Sequence, residues 1–223
     1  MAKLIPFENV LYSFIPLIGL VIILYFIMGD VKRIIIASLR MLVQLVAIGY
    51  LLKGLFSQNS DWISISILLV MLIMGALISM SSSYEKNLSL YMKSFTAFLF
   101  GAFPTLIFMT YFIIPSENWL AASFIIPLAG MIFSQAMNVM SLAVERFQNE
   151  IKNNEYFMAR KLALKAALIP ITNTFMAVGL VSLPGMMTGQ ILSGVEPLIA
   201  VRYQIIIMTM VFCSVASSTM IML

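Results

Sequence analysis

Of 223 residues, 62% are hydrophobic and only 10% charged, with a mean hydropathy of +1.05. A soluble domain carries roughly a quarter of its residues as Asp, Glu, Lys and Arg. This chain has too little charge to cover a globule in water, and at about 20 residues per crossing most of it belongs in a bilayer. One cysteine excludes an intrachain disulfide framework, and the absence of histidine removes the commonest transition-metal ligand. The net charge of +4, scattered along the chain, is no footprint for nucleic acid.

Seven apolar runs follow one another: Val10–Met28, Ile34–Leu52, Trp62–Met80, Phe95–Ile114, Leu120–Leu142, Ala166–Leu183 and Val201–Met222. Each is near the length that crosses a hydrocarbon core of about 30 Å. Only a helix satisfies every backbone donor and acceptor inside one such segment. The expected fold is therefore all-α: a polytopic membrane protein of about seven transmembrane helices forming a single domain over residues 1–223. Breakers stand at the joints, at Gly29-Asp30, Gly54 through Ser60, Pro115-Ser116-Glu117 and Pro184-Gly185. The first run is longer than a signal-peptide core and no small-x-small cleavage pattern follows it, so it reads as a retained span.

The basic residues choose an orientation. With the N-terminus outside, the inner side holds Lys32, Arg33, Arg40, Lys86, Lys93, Arg146, Lys152, Arg160, Lys161 and Lys165, and the outer side Lys3, Lys53 and Arg202. That bias predicts N-out and C-in in the cytoplasmic (inner) membrane. The segment 145–165 then lies in the cytoplasm. Its Phe147, Ile151, Met158 and Leu162 recur at four- and seven-residue steps and share one helical face. They suit either packing on neighbouring helices or docking of a cytoplasmic partner.

No machinery for chemistry is present. The phosphate loop Gly-x-x-x-x-Gly-Lys-Ser/Thr is missing, and without histidine there is no catalytic triad or zinc helix. The expected role is not enzymatic, and ATP, if it is used, is bound by another chain. Polar residues inside spans are then the informative ones, because an unsatisfied group in hydrocarbon is costly. Arg40 and Gln44 share a face of span two; Arg40 either snorkels to the headgroups or faces a pathway, paired with Glu85 or Glu145. Span five carries Ser134, Gln135, Asn138 and Ser141, and span six Thr172, Asn173 and Thr174 after Pro170, where a local helix break is expected. Such strips serve as interhelical glue or line a pathway. Nineteen methionines are spread over the spans, as gap fillers or as soft-metal ligands, and no metal site can be named from them. Pro104 and Pro127 are expected kinks. Gly75-x-x-x-Ser79 and Gly185-x-x-x-Gly189 suit close helix approach.

One stretch carries more than composition. The run from Gly179 through Ser182, Leu183, Pro184, Gly185, Met186, Met187 and Gly189, followed by Gly194, Glu196, Pro197, Tyr203 and Gln204, resembles the signature of the FetB-type permeases. These are membrane subunits of bacterial iron-export ABC transporters, related to a plant permease of aluminium tolerance. Arg40-x-x-x-Gln44 with Gly49-Tyr50, Ile126 through Met131, and Ala167 through Pro170 are similar to further motifs of that family. The resemblance implies a permease subunit that pairs with a cytoplasmic ABC ATPase and a second permease copy, surrounded by lipid, and exports iron or another metal. It places ATPase docking on 145–165, where this chain has a shorter connection than the family.

Overall fold

The structure, a computed structural model, describes residues 6–55, 60–80 and 87–223; within these, the side chains of Phe7, Lys53 and Leu55 are not described. Glu85, one expected partner of Arg40, lies outside the described residues, as do Lys3 and Lys86. The chain divides into two compact units, Met1–Gln58 and Asn59–Leu223.

The first unit holds α1 (Phe7–Tyr12), α2 (Phe14–Met28) and α3 (Lys32–Leu55). The Gly29-Asp30 joint behaves as its residues dictate. Gly29 takes a left-handed φ of 73° and its N–H closes on the Tyr25 carbonyl at 2.9 Å, ending α2. The Asp30 carboxylate then accepts from the Lys32 N–H at 2.9 Å, opening α3.

The second unit begins with α4 (Asp61–Ser79). A continuous rod over Leu88–Ile113 follows: α5 (Leu88–Ala97), a π-helical turn at Phe98–Ala102, α6 (Phe103–Phe108) and a second π-helical turn at Met109–Ile113. Asn87 caps the rod by accepting from the Leu90 N–H at 2.8 Å. Pro104 does not break it. The π turn just before shifts the register, so that the Phe103 N–H reaches back to the Phe98 carbonyl and the loss of one ladder bond is absorbed. After it come α7 (Ala122–Glu150), α8 (Tyr156–Ala177), α9 (Gly185–Leu192) and α10 (Pro197–Met222).

The core of this unit is where α7 meets α4, α8 and α10. Ala129, Ala136 and Ala143 are fully buried on α7 at seven-residue spacing, and Ala159, Ala163 and Ala167 on α8 at four-residue spacing. Where lipid tails are as apolar as leucine, close van der Waals approach between helices supplies the association energy, and small side chains permit it. The expected contact at Gly75 and Ser79 is present. A Cβ on Gly75 would stand 3.3 Å from the Phe98 ring, Ser79 and Ser94 share a hydrogen bond of 2.7 Å, and the Ser141 hydroxyl donates to the Ser79 carbonyl. The expected contact at Gly185 and Gly189 is not: nothing approaches within 4 Å of a Cβ at either.

Six helices among the described residues are long and apolar enough to cross a membrane: Glu8–Met28, Lys32–Leu52, Asp61–Ser79, Leu88–Ile113, Ala122–Glu150 and Pro197–Met222. The predicted span at Ala166–Leu183 needs correction. Helix α8 starts earlier, at Tyr156, so its first turns carry Arg160, Lys161 and Lys165, and it stops at Ala177. From Ala166 to Ala177 a helix rises only about 18 Å, short of the hydrocarbon thickness. The expected break at Pro170 is also displaced. Pro170 sits inside α8, with its carbonyl accepting from the Thr174 hydroxyl at 3.0 Å, and the chain leaves the helix only at Val178.

The segment 145–165 is accordingly the tip of a helical hairpin. With 29 residues, α7 is about 43 Å long, longer than a hydrocarbon core, and turns at 151–155 into α8. Phe147 and Tyr156 pack edge to face at 5.6 Å. Arg146 pairs with Glu150 at 2.5 Å, and Arg160 donates to the Met220 carbonyl at 2.8 Å, which ties the start of α8 to the end of α10.

Candidate functional site in the interrupted helix

Between α8 and α10 the backbone leaves the helix twice. At the first exit Gly179 adopts φ 83°, its N–H closes on the Ser182 carbonyl at 2.9 Å, and the Val181 N–H returns to Ala177 at 2.8 Å. Pro184 then starts α9, whose eight residues run Gly185-Met-Met-Thr-Gly-Gln-Ile-Leu192; the Pro184 carbonyl accepts from both the Thr188 N–H and its hydroxyl. At the second exit Gly194 takes φ 96°, and the Glu196 carbonyl accepts from Ile199 and Ala200 to open α10. Interrupted helices at membrane depth occur where the freed backbone lines a cavity or is buried in protein.

Three adjoining cavities surround this short helix. The central one, of about 230 Å³, is bounded by Met131, Ser134 and Gln135 of α7, Ile171 and Thr174 of α8, Pro184 through Met186, and Gln204, Ile207, Met208 and Val211 of α10. A second, of about 300 Å³, shares its Pro184, Gln204 and Met208 walls and extends along Phe175, Val178, Met187 and Thr209. A third, of about 260 Å³, shares Met186 and Ile207 and adds Ser123, Pro127, Gln190 and Tyr203. Through these shared residues the three spaces lie side by side along α9.

Two groups in that chain are chemically unsettled. Gln204 is 6% exposed and its Oε1 accepts no hydrogen bond, and the buried Oε1 of Gln190 is likewise without a donor. A buried carbonyl oxygen without a donor costs about 1–3 kcal/mol.

The sequence-based candidates distribute unevenly over this geometry. Gln135, Pro184, Gly185, Met186, Met187, Tyr203 and Gln204 line the cavities, and Leu183 joins them in the second. Asn138, Thr172 and Asn173 are exposed and line none of them, and the Thr172 hydroxyl returns to the Leu168 carbonyl at 2.9 Å. Ser182, Gly189, Glu196 and Pro197 are exposed and shape the turns. Arg40 and Gln44 are exposed on α3 in the first unit. Gln190 was not singled out from sequence. The signal was available, as the one amide in a short, mostly apolar helix.

At the hairpin tip, Phe147 and Ile151 line a crevice of about 520 Å³ together with Lys93, Lys152 and Tyr156. Met158 is half exposed, and Leu162 is partly buried; neither borders it.

Known proteins resemble this chain in sequence. The chain is 34% identical over 196 residues to the UPF0014 membrane protein slr1647 of Synechocystis, covering 81% of this chain and 76% of that one. It is 31% identical to the probable iron export permease protein FetB of Escherichia coli, covering 82% and 75%. It is 29% identical to the protein ALUMINUM SENSITIVE 3 of Arabidopsis thaliana, covering 77% and 67%. No solved structure matches it. The model of an uncharacterised protein family, UPF0014, matches residues 7–164 and 156–223, so the chain is a multi-pass membrane protein belonging to the UPF0014 family.

Proposed function

We propose that this chain is the membrane permease subunit of an ATP-driven exporter of a metal cation, coupled to a cytoplasmic ATP-binding-cassette subunit and working beside a second permease copy. The observation that carries the reading is the chain of cavities around α9. It coincides with the segment that resembles the permease signature, and two amide side chains, Gln190 and Gln204, stand among its lining residues. The relative from Escherichia coli, named as an iron export permease, supports a metal cargo.

The partner ATPase docks on the tip of the α7–α8 hairpin. This tip extends beyond the length a hydrocarbon core needs and presents the Phe147–Ile151 crevice with Lys93 and Lys152 at its rim. The basic residues clustered at that end favour the cytoplasm, and with α8, the turn at 178–184 and α9 together making a seventh crossing, this orients the chain N-out and C-in. ATP binding in the partner then alternates access to the cavities, with the turn at 178–184 and α9 as the moving parts.

Reconstitution into proteoliposomes with and without the ATPase tests this. Export of a metal cation that needs both the ATPase and ATP is expected. Transport at full rate by the permease alone would instead make it a secondary transporter or channel. No transport under any condition, with correct insertion, would leave it a membrane assembly subunit.

A further inference from the structure

The apolar surface of the second unit is not continuous. Helix α4 and the rod are tight where Gly75 faces the Phe98 ring and Ser79 bonds Ser94, and they part toward the Asp61 end. The wedge between them is a slot of about 380 Å³, bounded on its third side by Trp119, Leu120 and Ile125 at the entry to α7. Leu68, Leu72 and Ile125 are buried along it, whereas Ile65 and Leu69 stand exposed at its rim, so it opens sideways into the bilayer. From Asp61 to Leu72 a helix rises about 16 Å, close to half of a hydrocarbon core of about 30 Å. The slot therefore runs the depth of one leaflet.

Three observations fix what fills it. Every residue bordering the slot is aliphatic or aromatic, and the indole N–H of Trp119 is the only polar group among their side chains. A trapped water needs two to four polar partners, so the slot takes hydrocarbon and not water. Trp119, packed edge to face on Tyr111 at 5.6 Å, stands where the slot meets the polar end of the unit, as tryptophan does at a membrane–water interface. The charge at that mouth is negative. Asp61 lies one turn before Ile65 on α4 and accepts from the Asn118 amide at 3.5 Å, and Glu117 adjoins Asn118. No Lys or Arg occurs in residues 54–85 or 94–145, and Arg202, near the start of α10, does not border the slot. We propose that the slot binds one acyl chain of an ethanolamine phospholipid from the leaflet at that end, with its ammonium head against Asp61. The chain supplies the van der Waals contacts that an empty slot forfeits. The carboxylate, which accepts more than one donor, favours a head with a free ammonium over an anionic glycerol head. This site needs only the bilayer and stands whether or not the protein transports.

Fluorescence quenching in vesicles tests it. Trp62 is exposed and off the slot, so a full-length Trp62→Phe background leaves Trp119 as the one tryptophan. This protein is reconstituted into phosphatidylcholine vesicles holding a minor share of phospholipid brominated along its acyl chains, with either an ethanolamine or a glycerol head. Bromine in the slot quenches Trp119. The ethanolamine lipid is expected to quench more than the glycerol lipid at equal share, with a relative affinity about fivefold higher, as one charge near a membrane surface supplies. Asp61→Asn is expected to remove that preference. Leu69→Phe/Leu99→Phe, which fills the slot from two walls, is expected to lower quenching by both lipids to the level their bulk share sets. Unchanged helix content and monodisperse elution of the variants separate a lost site from a lost fold. Equal quenching by the two headgroups with the slot intact, a preference that survives Asp61→Asn, or quenching unchanged by the double phenylalanine variant would each overturn the site. A Trp119 that neither lipid quenches overturns it too, and assigns the slot to a covering protein helix.

Discussion

Among the described glycines, Gly101 is under the tightest constraint. A Cβ there would meet the Ser218 backbone nitrogen at 2.5 Å, its Cα at 2.6 Å and its Oγ at 2.6 Å. Two of those atoms are main chain, so no rotamer change relieves the overlap; the π turn at Phe98–Ala102 and α10 must move apart. Overpacking a core typically costs about 1–3 kcal/mol. Because the π turn and α10 meet backbone to backbone here, with the Ser217 hydroxyl bonded within α10 to the Cys213 carbonyl, Gly101→Ala is expected at the upper end, about 3 kcal/mol. That is roughly two powers of ten in the folded-to-unfolded ratio. Stability in detergent, followed by helix content during SDS or thermal titration, reads it. Gly75→Ala, facing the movable Phe98 ring at 3.3 Å, and Gly130→Ala, facing only Met71 Cε at 3.6 Å, provide graded controls. The expected order of destabilisation is Gly101, then Gly75, then Gly130. The double variant Gly101→Ala/Ser218→Ala should not recover, since the Ser218 nitrogen and Cα remain. A Gly101→Ala protein within about 0.5 kcal/mol of wild type, or full recovery in the double variant, would refute a backbone clash.

Four further outcomes follow from the same packing and from the proposed function. Ser218→Ala alone should stabilise the fold by about 1 kcal/mol, because its buried Oγ has no hydrogen-bond partner; the same unfolding titration checks it. Gln204→Leu should raise stability by a similar amount while lowering transport at least about tenfold, a pairing that a merely structural residue would not show. Arg40→Leu should lower transport with membrane insertion intact, measured by vesicle export and membrane fractionation; normal transport would assign Arg40 to headgroup snorkelling. Phe147→Ala should weaken co-purification of the ATPase more than Met158→Ala or Leu162→Ala does, since Phe147 lines the crevice and the other two do not.

Six of the seven expected spans, and their order, were legible because a bilayer forces a simple code: an apolar run of one thickness is one helix. The joint at Gly29-Asp30 was equally legible, its glycine and aspartate each making the bond their type predicts. Gly75 and Ser79 were readable as a close approach, yet a Cβ added at Gly185 or Gly189, with the same spacing, would meet nothing within 4 Å. Spacing says that two small residues share a face; it does not say that another helix is there. The polar strips were the weakest guide. Gln135 lines the central cavity and Asn138, one turn on, does not, although both are exposed. A 3.6-residue period cannot tell a cavity-facing stripe from one turned elsewhere when both sit on one long helix.

The misplaced sixth span has a more general cause. Hydropathy reports the medium a segment lies in, not its conformation, and in a membrane protein the two usually coincide. They part company at 178–183, an apolar stretch that is a turn. Leu180 and Val181 stand 89% and 84% exposed, a placement that suits an apolar medium and not water. Such a turn is tolerated in lipid only if its backbone groups are satisfied without solvent. This one satisfies its donors locally: the N–H groups of Leu180, Val181 and Ser182 all return to the Ala177 carbonyl, and that of Gly179 to Ser182. Glycine at 179 makes the closure possible by accepting φ 83°, and Pro184, which ends the turn, restarts a helix. The residues that resemble a permease signature are therefore those needed to interrupt a helix inside apolar surroundings. The interruption in turn sets α9, with Met186 and Gln190, against α10 and opens the cavities that α8, had it continued to Leu183, would have filled.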